Sequence, residues 1–173
     1  VDLKFFDVPE TVRAAVRALS RSGAHFATVH GNQAIMEAAG QDKGQLRILA
    51  VTVLTSLDRG DLDDLGFACD VEALVLSRAR RALQAGCDGI VSSGLEAPMI
   101  RRELGQRLLV VTPGIRPVEN KPADDQKRTV DVAQAFRNGA DYIVVGRPIR
   151  QAAAPHAAAQ AVQATIGELF SSR

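Results

Sequence analysis

Two groups of residues in this 173-residue chain have the types and spacing for chemistry. The first is Asp2-Leu3-Lys4-Phe5-Phe6-Asp7. Side chains alternate along a strand, so Asp2 and Lys4 share a face while Leu3 takes the other. A lysine flanked by carboxylates is held as a cation. It suits proton donation or the stabilisation of developing negative charge, whereas a Schiff-base lysine has to be neutral. Asp7 lies at odd spacing from Lys4, beyond the strand, and need not share that direction. The same spacing also fits an Asp–Lys pair that does no more than hold the strand. The second group is Thr112-Pro113-Gly114-Ile115-Arg116-Pro117 with Gly146-Arg147-Pro148. Glycine lets backbone N–H groups approach an anion, and arginine offers a planar charged fork that matches phosphate. One Gly-Arg would read as a turn and a surface arginine; two on neighbouring strand ends favour an anion site. His30, in Val29-His30-Gly31, fits a packed or a functional histidine equally. Ser92-Ser93 lacks the Gly-x-Ser-x-Gly of a nucleophile elbow and is left out of the chemistry.

The elements that position these residues alternate. Strand-like runs span 1–6, 25–30, 46–54, 89–92, 108–112 and 142–146. Helical stretches span 9–22, 33–39, 71–85, 95–104 and 130–138, and a last helix spans 154–170. The strands are continuously apolar, as in Ile48–Leu54, which marks a parallel sheet buried on both faces. Strand ends from Lys4 to Gly146 recur about every 28 residues, near the ~31 per unit of a β/α barrel. An open doubly wound sheet would carry a glycine-rich turn after its first strand, where this chain has DVPETV. The expectation is therefore one α/β domain over residues 1–173, a TIM (β/α)8 barrel in which only strands three to eight are represented. The phosphate loops of such barrels follow strands seven and eight, which makes the Arg116 and Arg147 strands those two. Two βα units would then be missing in front of Val1. The acidic run Ser56–Asp64 reads as a loop or short helix beside the barrel mouth, with a solvated surface as the simpler role.

Composition narrows the classes. Hydrophobic residues make up 46% and charged residues 24%, and 21 Lys+Arg nearly balance 20 Asp+Glu. That is a globular chain with no basic tract for nucleic acid. Aromatics are 4%, too few for a base-stacking platform. No apolar run reaches the ~18 residues of a membrane span, and no signal peptide is evident. Cys69 and Cys87 form neither a C-x-x-C nor a cluster with His25, His30 or His156, so neither zinc nor a disulfide is expected. These features point to a reducing, cytoplasmic setting.

Several segments together resemble bacterial-type orotidine 5′-monophosphate decarboxylase over essentially the whole chain. They are Asp2-Leu3-Lys4-Phe5-Phe6-Asp7-Val8-Pro9, Thr11-Val12, Val29-His30-Gly31, and Ala50-Val51-Thr52-Val53-Leu54-Thr55-Ser56. They continue with Thr112-Pro113-Gly114-Ile115-Arg116-Pro117, Asp125-Gln126-Lys127-Arg128 and Val145-Gly146-Arg147-Pro148-Ile149. The D-x-K-x-x-D pattern is shared with other decarboxylases and aldolases of the wider suprafamily; V-T-V-L-T-S, T-P-G-I-R-P and D-Q-K-R are more specific. Phe6 stands where many relatives have His, and Glu10 where many have Asn.

The resemblance implies cofactor-free, metal-free decarboxylation of orotidine 5′-monophosphate to UMP in pyrimidine biosynthesis. Lys4 would stabilise and then protonate the C6 carbanion, and Asp2 would sit by the departing carboxylate. Asp7 and Thr11 would reach the neighbouring subunit's site, which implies a homodimer with shared active sites. Thr55, with Ser56 as second choice, would contact the base, and Pro113 would line the pocket. Arg116, Gln126, Gly146 and Arg147 would hold the phosphate, and the stretch 116–127 has the composition of a mobile loop. The family also carries an Asp on its first strand and a Lys on its second, neither of which this sequence contains. The alternatives are a Mg²⁺-dependent sugar-phosphate decarboxylase or aldolase of the same suprafamily, and a non-catalytic phosphate-ligand-binding fragment.

Overall fold

The computed structural model of the protein describes residues 2–116 and 127–171. Its framework is a parallel sheet in which strands β1 (Phe26–His30), β2 (Arg47–Val51), β3 (Gly89–Val91), β4 (Leu109–Thr112) and β5 (Tyr142–Ile143) stand in chain order. In register, Ala50 lies opposite Val29 and Ile90, and Ile90 lies opposite Val110. Helix α1 (Pro9–Leu19) precedes β1, and α2 (Gln33–Gln41) crosses to β2. Helices α3 (Arg59–Asp64) and α4 (Val71–Gln84) lie between β2 and β3; α5 (Ala97–Leu104) and α6 (Val132–Arg137) make the next two crossovers. Helices α7 (Arg147–Arg150) and α8 (Pro155–Ser171) follow β5.

The strands are apolar on both faces because both are covered. Ala27, Val29, Ile48, Ala50, Ile90 and Val110 belong to the core under the helices, with Val12 and Val16 of α1 and Val75 and Ala79 of α4. The alternate residues Leu49, Val51, Val91 and Val111 face the interior of the curled sheet. Gly89 is required where the strands come closest. A Cβ there would lie 2.7 Å from Leu109 Cβ, from the Leu109 carbonyl oxygen and from Leu49 Cδ2.

The curl is measurable. In a flat sheet β1 and β5, four steps apart, would be about 19 Å from one another at about 4.8 Å per step. Instead the Phe26 ring of β1 and the Tyr142 ring of β5 meet edge to face at 5.4 Å between centroids. A sheet whose edge strands touch through their inner side chains, in sequential order with no reversal, is the wall of a β/α barrel and not a doubly wound sheet.

Two expectations change in detail, and in the acidic run the helix is found of the two alternatives, loop or short helix. The first strand is reduced to one bridge, Phe5 with Val29, in which Phe5 N donates to Thr28 O at 2.9 Å and His30 N to Phe5 O at 3.0 Å. The cause is Lys4, whose φ of 45° is the only positive value among the described non-glycine residues and ends the extended run. The last strand stops at Ile143, and Gly146 turns directly into α7, a helix the sequence pattern did not indicate. The acidic run contains α3, closed by a capping box in which the Asp58 side chain accepts from Asp61 N and the Asp61 side chain from Asp58 N.

The N-terminal ends of the strands carry a repeated device. Gly86-Cys87-Asp88 precedes β3, and Gly139-Ala140-Asp141 precedes β5. Asp88 Oδ2 accepts from Ile48 N at 2.8 Å and from Lys43 Nζ at 2.6 Å. Asp141 Oδ2 accepts from Val110 N at 2.7 Å and from Arg101 Nη2 at 2.5 Å. In both, one carboxylate ties the adjacent strand to a basic residue from the end of the crossover before it.

Candidate functional site

At the opposite, C-terminal ends of the strands lies a cavity of about 570 Å³. Its floor is the inner apolar face described above. Its mouth is polar: Asp2 and Lys4 come from one edge of the sheet, Thr55 and Ser56 from beyond β2, and Ser92 from beyond β3. Pro113 and Arg116 follow β4, and Gly146 and Arg147 follow β5 at the other edge. Curling of the sheet is what brings groups from both edges to one space.

Lys4 sits in a closed polar ring. Its Nζ donates to Asp2 Oδ2, the Thr28 hydroxyl donates to Asp2 Oδ1, and Lys4 N donates to Thr28 Oγ1 at 2.8 Å. Asp2 and Lys4 therefore do come together, although the backbone between them is not a regular strand. Thr28, inward-facing in the middle of β1, holds both ends of the pair. A left-handed lysine costs on the order of 1–3 kcal/mol, and such conformations persist where the surroundings fix them, often at functional sites.

The arginines are fixed by backbone. Arg116 N donates to Val130 O at 2.9 Å, beside a parallel bridge between Ile115 and Val130, and its Nη1 donates to Ile115 O at 2.9 Å. Gly114, at φ 74°, allows the turn that sends Arg116 to the cavity. Arg147 opens α7 directly after Gly146, so its position is set by the end of β5.

Thr55 is buried, and its carbonyl accepts from Lys127 N at 3.2 Å. The Lys127 ammonium reaches Asp58 Oδ2 at 2.7 Å and Asp61 Oδ2 at 2.8 Å. This cation pulls Asp58 down to about 2, and the two carboxylates raise Lys127. Arg128, next in the chain, is buried against Glu96. Burial raises the Glu96 carboxyl, with Arg128 and Ser92 opposing.

His30 lies near the same rim but outside the cavity lining. Its ring packs on Phe6 at 4.7 Å between centroids. Burial lowers its affinity for a proton, and the positive charges of Arg78 and Lys4 act the same way, so it is held toward the neutral form. Asp7 and Thr11 are exposed and do not line the cavity, and Asp7 Oδ1 accepts from its neighbour Val8 N at 2.6 Å. They stand among the exposed apolar side chains Leu3, Phe6 and Val8. Gln126 and most of the 116–127 stretch lie outside the described residues. Thr28 is a polar group of the site that the sequence reading missed, and Ser92 is one that it set aside. For Thr28 the available signal was one hydroxyl at the centre of an otherwise apolar, doubly covered strand.

Among the described residues no group of three or more His, Cys, Asp or Glu is placed to hold a metal ion. Burial pushes the Cys87 thiol up to about 12, which leaves it protonated and a poor nucleophile. No helix of the described residues is long and apolar enough to cross a membrane.

An ammonium–carboxylate pair at one edge and two guanidinium groups at the other suit a substrate with a reacting centre and a remote anionic group. Comparison with known proteins agrees in kind. Residues 1–162 match the orotidine 5′-phosphate decarboxylase / HUMPS family. The chain is 74% identical over 170 residues to orotidine 5′-phosphate decarboxylase of Methylococcus capsulatus, covering 98% of this chain and 70% of that protein. It is 53% identical over 168 residues to the Xanthomonas campestris enzyme of that name, covering 96% and 69%. The crystal structure of orotidine 5′-phosphate decarboxylase from Lactobacillus acidophilus superposes with a TM-score of 0.79 at 33% identity, covering 95% of this chain and 73% of that one.

Proposed function

Because the chain belongs to the orotidine 5′-phosphate decarboxylase / HUMPS family, we propose that it converts orotidine 5′-monophosphate to UMP and CO₂ without a cofactor. The observation that carries this reading is that Asp2 and Lys4 from one sheet edge and Arg116 and Arg147 from the other line the same cavity. The phosphate is held by Arg116, Gly146 and Arg147, with Gln126 as a further contact. Pro113 lines the pocket, and Thr55 meets the base.

The step is a heterolysis. The C6–carboxylate bond breaks, CO₂ leaves, and the electron pair stays on C6. That pair lies in the ring plane and cannot delocalise into the π system, so fixed positive charge has to meet it as it forms. Lys4 supplies the charge and then transfers a proton from Nζ to C6; solvent returns that proton. Asp2 holds the ammonium in place and crowds the departing carboxylate. Binding energy from the remote phosphate is used to orient the base over Lys4. Asp7 and Thr11, exposed beside Leu3, Phe6 and Val8, complete the site of a second subunit in a homodimer. The protein acts in the cytoplasm, in de novo pyrimidine biosynthesis, and needs neither nucleic acid nor membrane.

Mixing the full-length protein with orotidine 5′-monophosphate and EDTA tests this reading. The expected result is loss of the orotate absorbance with one CO₂ per UMP. Turnover of a sugar phosphate alone, restored by Mg²⁺ after chelation, would transfer the chain to the rival branch of the suprafamily. For the shared site, mixing Lys4→Ala with Asp7→Ala subunits should restore activity, since one of the two mixed sites receives both intact groups. No gain after verified subunit exchange places Asp7 in its own subunit's site.

A further inference from the structure

The most heavily buried charges in the described residues take no direct part in this mechanism. Arg128 Nη1 meets Glu96 Oε1 at 2.6 Å, and their side chains are 11% and 3% exposed. Of the rest of the Arg128 guanidinium, Nη2 donates to Leu54 O at 2.8 Å and to Val53 O at 3.2 Å, and Nε has no hydrogen-bond partner among the described residues. On the other side, Ser92 Oγ donates to Glu96 Oε2 at 3.2 Å, and Ser93 Oγ to Arg128 O at 3.4 Å. One ion pair thus joins the segment leaving β2 to the loop leaving β3. Residues beside each attachment, Thr55 and Ser56 after Leu54 and Ser92 before Glu96, line the cavity.

We propose that Arg128 is a positioning residue: with Glu96 as its counter-ion, it sets the Val53–Ser56 rim against Ser92 and so fixes the hydroxyls that meet the base end of the substrate. Three features support this over a role in bulk stability. Buried ion pairs add little net stability compared with apolar replacements, so an ion pair at this place calls for another reason. The guanidinium fork has fixed geometry, so gripping two successive carbonyls sets the direction of the chain as well as its location. And the contacts run to irregular backbone beyond β2, which has no sheet partner among the bonds of β2 to fix it. The idea rests on the proposed decarboxylation only for which ligand the hydroxyls meet.

The test compares Arg128→Met, Arg128→Lys and the apolar pair Glu96→Leu/Arg128→Met in the full-length protein. The readouts are thermal unfolding, steady-state kinetics with orotidine 5′-monophosphate, and the backbone amide NMR signals of Thr55 and Ser56. A rim displaced by about 1 Å costs on the order of a hundredfold in kcat/KM. Arg128→Met should show that loss while still folded, with shifted Thr55 and Ser56 signals and unshifted Asp88 and Asp141 signals. Arg128→Lys, which keeps one donor, should recover part of it. The apolar pair should regain thermal stability without regaining kcat/KM. Recovery of both together would overturn the proposal, because the pair would then be structural only. So would wild-type kcat/KM and unmoved signals in Arg128→Met. If the wild-type protein fails to decarboxylate while the signals still move in Arg128→Met, positioning stands and the functional reading falls.

Discussion

The two ends of the barrel wall use the same residue types for opposite purposes. At the N-terminal ends of the strands, the charged pairs described are also tied to backbone groups on neighbouring elements. Asp141 is bound to Val110 N and to Arg101, and Arg101 also donates to the carbonyls of Gly139, Gly105 and Leu108 at 2.8, 3.1 and 2.9 Å. At the C-terminal ends, Lys4 and Asp2 are paired but half open to a cavity, at side-chain exposures of 37% and 47%. A charge tied at once to its counter-ion and to neighbouring backbone serves to hold the fold. A charge that lines a cavity keeps capacity for a ligand, and the fold tolerates a left-handed lysine to present it. Barrels divide stability and chemistry between their two faces in this way.

That contrast can be broken from either end. The largest effect is expected at Lys4. Lys4→Ala removes both charge stabilisation and the proton donor, so kcat should fall by about 10⁴-fold or more. Thermal stability should barely change, and UMP should still bind through Arg116 and Arg147. Unfolding of the variant, in place of inactivity with retained UMP binding, would make Lys4 structural. At the other end, Asp141→Ala leaves Arg101 Nη2 and Val110 N without their acceptor. It should lower stability by about 2–4 kcal/mol, read by urea unfolding, with kcat per folded molecule unchanged. A reduced kcat with unaltered stability would erase the distinction between the two faces.

A smaller effect is expected at the anion end of the cavity. Arg147→Ala should cost about 1.5–3 kcal/mol of kcat/KM, because a charge-assisted contact is lost. The defect should shrink with the nucleoside lacking the phosphate; an equal loss with both substrates would remove Arg147 from the phosphate site.

The smallest concerns pH. His30 binds its proton less readily in the folded protein than its ordinary value near 6.5. The unfolded chain therefore takes up a proton first as pH falls, so this contribution to stability is complete above about 6.5 and is lost below it. Melting temperature should decline from pH 7.5 toward 5.5, and less steeply in His30→Gln. Parallel slopes in the two proteins would mean that His30 is not the titrating group.

Much of this division was legible in the sequence. The barrel followed from continuous apolar runs at regular intervals, because a strand covered on both faces has no polar positions to spare. The cavity mouth was legible in part: Asp2, Lys4, Thr55, Pro113, Arg116, Gly146 and Arg147 line one cavity, whereas Asp7 and His30 from the same reading do not. What alternation could not supply was the conformation at Lys4. The pairing with Asp2 is made through Thr28 and a left-handed turn, a tertiary arrangement with no periodic trace. The Asp88 and Asp141 ties were overlooked although Gly-Cys-Asp and Gly-Ala-Asp stand in plain repeat, since only the fold reveals that each carboxylate reaches back to the preceding strand. Ser92 was set aside for want of a nucleophile motif, and its hydroxyl donates to Glu96, whose ion-pair partner Arg128 is 32 residues away.

In the proposed mechanism Lys4 acts as a cation and proton donor with no covalent bond to the substrate. The most direct test is turnover of orotidine 5′-monophosphate by the full-length protein in D₂O with borohydride present, followed by NMR of the UMP and intact mass of the protein. The expected outcome is UMP carrying deuterium at C6 and a protein of unchanged mass, because no imine forms. A borohydride-trapped adduct on Lys4 would contradict it.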